Sequence, residues 1–232
     1  MRVYHLLTAE NGLSDISLRR IRISRFADLN DPFELLAAHL GEKSFRTAVR
    51  NWRTELNATH GLLCFSKNWE NPVLWSHYAA KHHGMCLGFE LQDDLAQEVH
   101  YIKDRLPIRF KPNGPEKRLD ETFVRELLAS KYEHWKYEEE IRVFLSLDPS
   151  TIESGSYFFS FSDKLQLAEV ILGPLCELPI AEVGNLVRGA YGRVPVTKAR
   201  LAFKWFNVVY DERSVKEENS YWASKGSTGH AA

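Results

Sequence analysis

The sequence predicts an α+β fold, a single domain whose mixed or antiparallel β-sheet, whole or split, is flanked by helices. Strand and helix patterns are scattered along the chain without the regular alternation of a doubly wound fold. The chain has 232 residues, 44% of them hydrophobic, which is enough to bury one core. After Tyr210 the chain turns polar and rich in Ser and Gly. We therefore expect a domain over residues 1–210, and a disordered tail or docking extension over 211–232.

In the first half of the chain, segments with the hydrophobic periodicity of a strand alternate with segments that have the periodicity of a helix. Residues 3–7 read as a strand, 10–18 as a short helix and 20–24 as a strand with two isoleucines on one face. Pro32 makes 26–34 a turn-rich loop. Apolar residues at helical spacing predict a helix over 42–57, followed by a buried strand over 61–66. Asn71 and Pro72 suit the cap and first position of a helix to residue 82, and a strand over 85–91 follows Gly84.

The second half is less regular. We expect a helical turn over 92–98, a strand over 99–102 and a proline-containing loop over 103–117. Leu119, Phe123 and Leu127 mark a helix that leads into a Glu-rich strand. Further strands are predicted over 157–161, 169–172 and 199–209, with a helix over 179–191. Every element except the Glu-rich strand has an ordinary core pattern.

Composition excludes several classes of protein. The formal net charge of −1 gives no general attraction to nucleic acid or to an anionic membrane. No apolar run reaches the roughly 18–20 residues that span a bilayer, and the first eight residues turn polar too early for a signal peptide. Three cysteines without C-x-x-C spacing argue against a disulfide scaffold and a structural zinc site. We expect a cytoplasmic protein with no membrane partner.

The segment 135–144 carries the strongest functional signal. In an extended strand, Glu138, Glu140 and Arg142 would share one face, with Ile141 and Val143 on the other. Carboxylates two residues apart lie roughly 6.5–7 Å apart at their Cα atoms, and such crowding requires a positive partner. The trio predicts either a functional site or a surface ladder of ion pairs.

Three sets of motifs together resemble an uncharacterised, mostly bacterial family known as domain of unknown function 2971. They are Asn-Asp-Pro-Phe-Glu at 30–34; Cys-Phe-Ser at 64–66 with Leu-Trp-Ser-His-Tyr at 74–78 and Gly-Met-Cys-Leu-Gly-Phe at 84–89; and Trp-x-Tyr-Glu-x-Glu-x-Arg at 135–142. Their order and spacing place the resemblance over roughly residues 1–210. The resemblance implies a family and no activity.

The layout also resembles ADP-ribosyltransferase-like domains. His5 on the first strand, the Phe65-Ser66 step and Glu138-x-Glu140 stand in the order that those domains use. The Ser-Thr-Ser step of many toxin members is absent, and the Asn-Asp-Pro-Phe-Glu loop has no counterpart there. The resemblance implies NAD as co-substrate, a catalytic Glu140 that steadies an oxocarbenium-like transition state, and Glu138 activating the acceptor.

The same resemblance implies cofactor contacts from His5 and Ser66. Arg22, with Arg20 on the same strand face, would bind the phosphates of a dinucleotide or a nucleic-acid backbone, and Tyr78 is a further candidate for cofactor binding. Each has a structural alternative. His5 would be a core histidine, and the Ser66 hydroxyl would close a local turn. Arg22 would pair with the acidic strand face together with Arg20, and Tyr78 would pack in the core beside Leu74 and Trp75. The predicted loop at 30–34 would shape a pocket rim or cap a helix. His77, His82 and His83 do not share a helical face, so no metal is expected.

Two main functions remain open from the sequence, beside a less favoured third, a metal-independent nuclease or other phosphoryl-processing enzyme. One is an NAD-using ADP-ribosyltransferase or NAD glycohydrolase, acting on a protein or nucleic-acid acceptor as a toxin or antiphage effector would. The alternative is a non-catalytic module that binds a nucleotide or a partner. The chain has neither a P-loop nor a dinucleotide fingerprint, which argues against ATP hydrolysis and Rossmann-type redox chemistry. Release of nicotinamide from NAD would separate the two.

Overall fold

The computed structural model describes residues 1–107 and 119–226 and confirms the α+β fold class. Residues 108–118 and 227–232, which fall in the predicted loop and tail, lie outside the described residues. The helices are α1 (Ala9–Leu18), α2 (Lys43–Thr59), α3 (Pro72–Tyr78), α4 (Glu121–Leu128), α5 (Ile180–Tyr191) and α6 (Glu212–Gly226). The strands are β1 (Arg2–Leu7), β2 (Arg20–Ile23), β3 (His60–Ser66), β4 (Met85–Leu91), β5 (Gln97–Glu98), β6 (His100–Ile102), β7 (Ser130–Tyr132), β8 (Glu140–Ser146), β9 (Tyr157–Ser160), β10 (Leu165–Leu172), β11 (Val196–Leu201) and β12 (Val208–Tyr210).

The Cα positions group the chain into two compact units. The first contains residues 1–21, 66–92 and those from 160 onward. The second contains residues 22–65 and 93–159.

The first unit is built on a mixed sheet. Its strands follow the order β12, β11, β10, β4, β1, with β10 and β11 parallel and the other neighbours antiparallel. β4 is buried at nearly every position because it lies in the middle of these strands. Helices α1 and α5 pack on each other, α1 on β4 and α5 on β11. In α1, Gly12 is required by close packing, because a Cβ there would lie 2.2 Å from the Met85 sulfur.

The second unit packs two helices over short strands. Phe45 and Val49 of α2 form one buried cluster with Phe123 and Leu127 of α4, as their helical spacing predicts. Strands β3, β8 and β5 follow one another in that order, and β5 pairs antiparallel with β8. β6 and β7 form a separate parallel pair. This unit contains the Glu-rich segment and the loop around residue 31.

Several predicted elements differ from the structure, and the strand predicted over 169–172 begins at Leu165. α3 begins as predicted, with the Asn71 side chain accepting from the Val73 N–H at 2.9 Å, but it ends at Tyr78. Ala80, Lys81 and His82 all have positive φ, so the helix cannot continue to residue 82. The single strand predicted over 199–209 is two strands, β11 and β12, joined by a hairpin loop.

The segment after residue 211 also differs from a disordered tail. Residues 212–226 form α6, which contacts β11. Glu218 of α6 accepts from Arg188 at 3.2 Å and from the Trp222 indole N–H at 2.8 Å. The segment is mostly polar, so its composition does not reveal the few side chains through which it docks.

Candidate functional site

Glu138 and Glu140 do not lie on one strand, because the chain turns between them. A 3₁₀ helix covers Glu133–Glu138, and Glu139 follows in the left-handed conformation with φ of 44°. Strand β8 then begins at Glu140. The prediction of one extended strand carrying both carboxylates is therefore wrong at Glu138. The turn nevertheless brings both side chains to a common cation.

That cation is Lys131 on β7. Its ammonium group donates to Glu138 Oε2 at 2.5 Å and to Glu140 Oε2 at 3.0 Å. The same ammonium lies 4.9 Å from the centre of the Trp135 ring, a cation–π distance. Lys131, Glu138 and Glu140 are all buried. The crowding of the two carboxylates is thus relieved by a positive charge, as the sequence predicts.

Arg142 connects Glu140 to a third carboxylate. Its guanidinium holds Glu140 in a two-pronged contact, Nε to Oε1 at 2.8 Å and Nη2 to Oε2 at 3.1 Å. Its Nη1 donates to Glu34 Oε1 at 2.7 Å and to the Leu128 carbonyl at 2.8 Å. Arg142 is only 1% exposed. We call Glu34, Lys131, Glu138, Glu140 and Arg142 the buried ion network.

The network holds Glu140 in its ionised form. Burial alone would raise the pKa of Glu140, but the charges and hydrogen bonds of Arg142 and Lys131 lower it to about 2. Burial opposes the positive charge of Lys131, whereas Glu140 and Glu138 raise its pKa above the ordinary value. Glu140 and Glu34 likewise outweigh burial and raise the pKa of Arg142. All three groups are therefore charged at neutral pH.

Two further groups adjoin Glu140. Burial, and then the charge of Glu140, raises the pKa of the Cys64 thiol well above its ordinary value, so this cysteine is not an activated thiolate. The Tyr101 hydroxyl accepts from the Glu140 backbone N–H at 2.8 Å. Burial raises the pKa of Tyr101 to about 12. Both groups are neutral and surround the charged carboxylate with protein atoms.

The loop over residues 31–36 points Glu34 toward the network. Asp31 Oδ1 accepts from the Phe33 N–H at 2.9 Å, the local turn that Asp before Pro predicts. The Glu34 N–H donates to the Asp31 carbonyl at 3.0 Å, and Leu35 is left-handed with φ of 61°. Glu34 is buried while Phe33 is exposed. The loop thus separates a core-facing carboxylate from a solvent-facing ring.

A cavity of about 240 Å³ opens beside the network. Glu34 and Lys131 belong both to its wall and to the network. Its other walls include the rings of Phe33 and Tyr132 and the cation Arg105, whose guanidinium carbon lies 5.5 Å from the Phe33 ring centre. We call it the Lys131 cavity. It offers aromatic faces, three cations and the three carboxylates of Asp31, Glu34 and Asp104 to a ligand.

A second cavity, of about 420 Å³, adjoins the first at Leu36, which lines both. Its apolar lining includes Phe26, Leu40 and Val49. Three arginines of α2, at positions 46, 50 and 53, share one helical face and also line it. We call it the arginine cavity. Both cavities lie within the second unit.

The predicted cofactor residues occupy varied positions. Arg22 is exposed and lies 4.0 Å from Asp28, while the acidic side chains pair with Lys131 and Arg142; the predicted pairing of Arg22 with the acidic strand is therefore wrong. The Ser66 hydroxyl donates to the Asn68 carbonyl at 2.7 Å, the local turn given as its structural alternative. His5 is half-buried on β1, opposite Leu87. Tyr78 is half-buried at the end of α3.

The structure brings Glu138 and Glu140 together, but the predicted convergence with His5 and Ser66 stays a prediction. His5, Ser66 and Tyr78 belong to the first unit, and the two carboxylates and Arg22 belong to the second. A surface ladder of ion pairs is excluded for Glu138, Glu140 and Arg142, since all three are buried. In the part of the chain that the structure describes, no cluster of three His, Cys, Asp or Glu is arranged to hold a metal.

Sequence reasoning did not find Lys131. The three-residue strand Ser-Lys-Tyr carries no motif, and a lysine is an ordinary surface residue. Glu34 was placed at a pocket rim through its loop, without its ion pair to Arg142, which lies 108 residues further along the chain. The sequence signal for these partners is the pair of crowded carboxylates at 138 and 140, because two such groups require more than one nearby cation.

Comparison with known proteins gives one match. The family described as Protein of unknown function (DUF2971) matches over residues 74–143. This range contains the motifs at 74–78, 84–89 and 135–142, so the resemblance to that family is confirmed. No curated protein and no solved structure matches the chain. No helix over residues 1–107 and 119–226 has both the length and the apolar character to cross a bilayer.

Proposed function

We propose that this chain, similar over residues 74–143 to a family with no assigned activity, is a nucleotide-binding protein whose first candidate ligand is NAD. The observation that carries the proposal is the pair of adjoining cavities in the second unit. They share Leu36, and both have cations in their walls. A ligand with two ring-bearing halves and negative charge between them suits this arrangement.

The arginine cavity supports recognition of phosphate. Arg46 donates to the Leu40 and Gly41 carbonyls, both at 2.8 Å, which holds it in place. Among the described residues, the Arg50 and Arg53 guanidinium groups have no ion-pair partner. A guanidinium group can donate two parallel hydrogen bonds to two phosphate oxygens, and it keeps its positive charge at any physiological pH. The volume of this cavity falls in the range of about 300–1,000 Å³ common for ligand sites.

The Lys131 cavity supports recognition of a ring and of hydroxyl groups. Phe33 and Tyr132 expose aromatic faces on which a base can stack. Lys131 can donate to a ligand hydroxyl, and Glu34 can accept from one. Since both side chains are fixed by the buried ion network, they would meet a ligand without first losing rotamer freedom.

An NAD-cleaving or ADP-ribosyl-transferring enzyme is the second candidate, favoured by the ionised carboxylates beside this cavity. In that reaction the bond from the ribose carbon to nicotinamide breaks, nicotinamide leaves with the electron pair, and water or an acceptor attacks the carbon. Three carboxylates line the cavity wall, those of Asp31, Glu34 and Asp104, and Glu34 is the one that belongs to the buried ion network. Glu140 is connected to the wall through Lys131 and is saturated by hydrogen bonds, which favours a positioning role for it. Glu138 is held in the same way at Oε2.

The binding test uses thermal unfolding with NAD, ADP-ribose and ATP. A ligand at one hundred times its dissociation constant adds about 2.7 kcal/mol to the free energy of unfolding. We expect stabilisation by NAD and a loss of affinity of about tenfold or more in the double variant Arg50→Gln and Arg53→Gln. Arg213→Gln, an exposed arginine of α6, is the matched control. If no nucleotide stabilises the wild type, the binding proposal is wrong.

The reaction test measures nicotinamide released from NAD by the wild type, Glu34→Gln and Glu140→Gln. Release that Glu34→Gln abolishes, while NAD still stabilises the variant, would support the enzyme with Glu34 in contact with the ribose. Stabilisation by NAD without any release would leave a binding module. Loss of release in Glu140→Gln, measured at a temperature where the variant is still folded and still stabilised by NAD, would assign the catalytic role to Glu140.

A further inference from the structure

The hairpin between β11 and β12 exposes three large aromatic rings in the first unit. Phe203 is 91% exposed, Trp205 73% and Phe206 97%. The transfer of aromatic side chains of this size out of water is among the most favourable for any residue type. Single exposed apolar residues are common, but three bulky rings within four residues form a patch that marks an interaction surface.

The hairpin is held by ordered hydrogen bonds. Strand pairing joins Leu201 to Val208, and the Ala202 N–H donates to the Asn207 carbonyl at 2.9 Å, which closes the loop. The Val208 N–H donates to the Glu70 carbonyl at 2.8 Å, tying the hairpin to the segment before α3. The exposure of the rings is therefore a fixed feature of the fold and does not come from a loose end of the chain.

Cations accompany the rings. Lys204 stands between Phe203 and Trp205 in the sequence and is exposed. The Arg200 guanidinium lies over the Phe203 ring, with its central carbon 4.7 Å from the ring centre. The acidic side chain in contact with the loop is Glu70, whose Oε2 lies 3.5 Å from Asn207 Nδ2 at the base of the hairpin. The end that carries the rings is thus apolar and positively charged.

The area of the patch favours a lipid surface over a second protein. Three aromatic side chains bury roughly 450–750 Å² in all. A stable protein interface needs about 800 Å² on each partner. A narrow hairpin with rings and cations is suited to the boundary between headgroups and acyl chains, where Trp and Phe lie at the interface and Lys or Arg bind phosphate.

The cavity beside the hairpin is consistent with an apolar occupant. It has a volume of about 500 Å³ and is lined by Pro72 and His82 as well as by the loop itself. Burial, and then the charge of His83, lowers the pKa of His82, so this wall is uncharged at neutral pH. A lipid chain lying along the rings would meet no buried charge there.

We propose that residues 202–207 bind peripherally to the surface of membranes rich in anionic phospholipid, with the three rings at the acyl boundary and Lys204 and Arg200 at the phosphates. The net charge of −1 for the whole chain does not oppose this, because the hairpin concentrates its cations locally. The proposal concerns the first unit and is independent of nucleotide binding in the second.

The test is sedimentation of the full chain with vesicles of phosphatidylcholine alone or mixed with phosphatidylglycerol. We expect binding to the anionic vesicles. Changing Phe203, Trp205 and Phe206 together to Ser should weaken it at least about tenfold. Lys204→Gln should weaken it about fivefold, with little effect on neutral vesicles. The matched control is Leu18→Ser with Ile152→Ser, two exposed apolar residues elsewhere, which should bind like the wild type.

Two further measurements separate the alternatives. Tryptophan emission should shift to shorter wavelength on anionic vesicles in the wild type but much less in Trp205→Phe, which keeps a ring at the tip. Sedimentation equilibrium without vesicles reports the oligomeric state. A wild type that does not bind anionic vesicles, or a triple variant that binds them equally well, overturns the proposal. A wild-type dimer that the triple variant dissociates, without vesicle binding, would assign the rings to a second copy instead.

Discussion

Glu140, which the sequence predicts as a catalytic residue, is held in place by buried ion pairs. Both of its oxygens accept hydrogen bonds from buried cations, Arg142 at 2.8 and 3.1 Å and Lys131 at 3.0 Å. Removing one member of a buried ion pair leaves the other charge without compensation in a medium that solvates it poorly. Glu140 therefore contributes to folding whether or not it takes part in a reaction.

We expect Glu140→Gln to lower the free energy of unfolding by about 3–5 kcal/mol, because Arg142 and Lys131 would lose their shared negative partner. Urea unfolding of the purified variant measures this loss. Glu139→Gln, at the exposed neighbouring position, is the matched control and should fall within about 0.5 kcal/mol of the wild type. Equal unfolding midpoints for the two variants would show that the network does not support the fold.

At the scale of elements, helix α6 shows how few contacts can dock a polar segment. Its Tyr221 ring lies 4.1 Å from the Arg188 guanidinium carbon of α5, and Glu218 joins Arg188 to the Trp222 indole. Ser214 donates to the Lys198 carbonyl at 3.3 Å and accepts from its N–H at 3.0 Å. These contacts recur along one face of the helix, so a tail-like composition is compatible with an ordered position.

Glu218→Ala should destabilise the docking of α6 by about 1–3 kcal/mol, because Arg188 and the Trp222 N–H would lose their acceptor. Hydrogen exchange over residues 212–226, together with urea unfolding, measures the effect. Glu217→Ala changes the same residue type one position earlier on the exposed side and should leave exchange nearly unchanged. Protection of α6 that is the same in both variants would contradict the assigned role of Glu218.

The α3 to β4 connection makes a related point. Asn71 and Pro72 predict the start of the helix correctly, because a cap acts locally on the first N–H groups. The end of the helix depends on three consecutive left-handed residues before Gly84. The Gly84 N–H donates to the Ala79 carbonyl at 2.8 Å, and a Cβ at Gly84 would lie 2.1 Å from the Leu7 carbonyl oxygen. That close approach is a tertiary requirement and has no local signature.

At the scale of the whole molecule, two buried carboxyl groups give stability opposite dependences on pH. Burial raises the pKa of Asp15 in α1 to about 7, against the charge of Arg20. Its unfolded value is about 3.9, so its contribution is fully present below about pH 4 and is lost as pH rises to about 7. Glu140 has a folded pKa of about 2. Its contribution is present above about pH 4.3 and is lost as pH falls toward 2.

We therefore expect Asp15→Asn to stabilise the protein at pH 8 by roughly 2–4 kcal/mol and to have little effect at pH 4, since the variant has no carboxylate to ionise in the core. The difference between the two urea unfolding curves should grow from pH 4 to pH 7 and then level off. A difference that stays constant over this range would contradict the assignment of the pH dependence to Asp15.

Much of the fold could be predicted from the sequence, and the reasons are local. The spacing of Phe45, Val49, Phe123 and Leu127 predicts both helices of the second unit and the faces that meet in its core. The runs over 61–66 and 85–91 predict strands because apolar length and a nearby turn residue suffice. The hairpin within 199–209 was missed because its loop is aromatic and contains no Gly, and its one Asn, Asn207, stands at the end of the loop.

The candidate site was predictable only in part. Crowded carboxylates at 138 and 140 correctly indicated a nearby positive charge, and the loop at 30–34 correctly indicated a pocket wall. Lys131 and the two cavities were not predictable, because a side chain's partner across the fold leaves no trace in its own sequence neighbourhood. The left-handed turn at Glu139 was missed for the same reason, since Glu rarely adopts positive φ without tertiary support.

The sequence by itself determined the α+β class, most helix and strand positions, and the acidic character of the segment before β8. These follow from hydrophobic periodicity and capping, which act over a few residues. The tertiary structure alone decided that the acidic groups are buried, that Lys131 and Arg142 neutralise them, and that Phe203, Trp205 and Phe206 remain in solvent. Burial and charge pairing depend on which distant residues the fold brings within about 4 Å, and that distance is set by the packing of the whole chain.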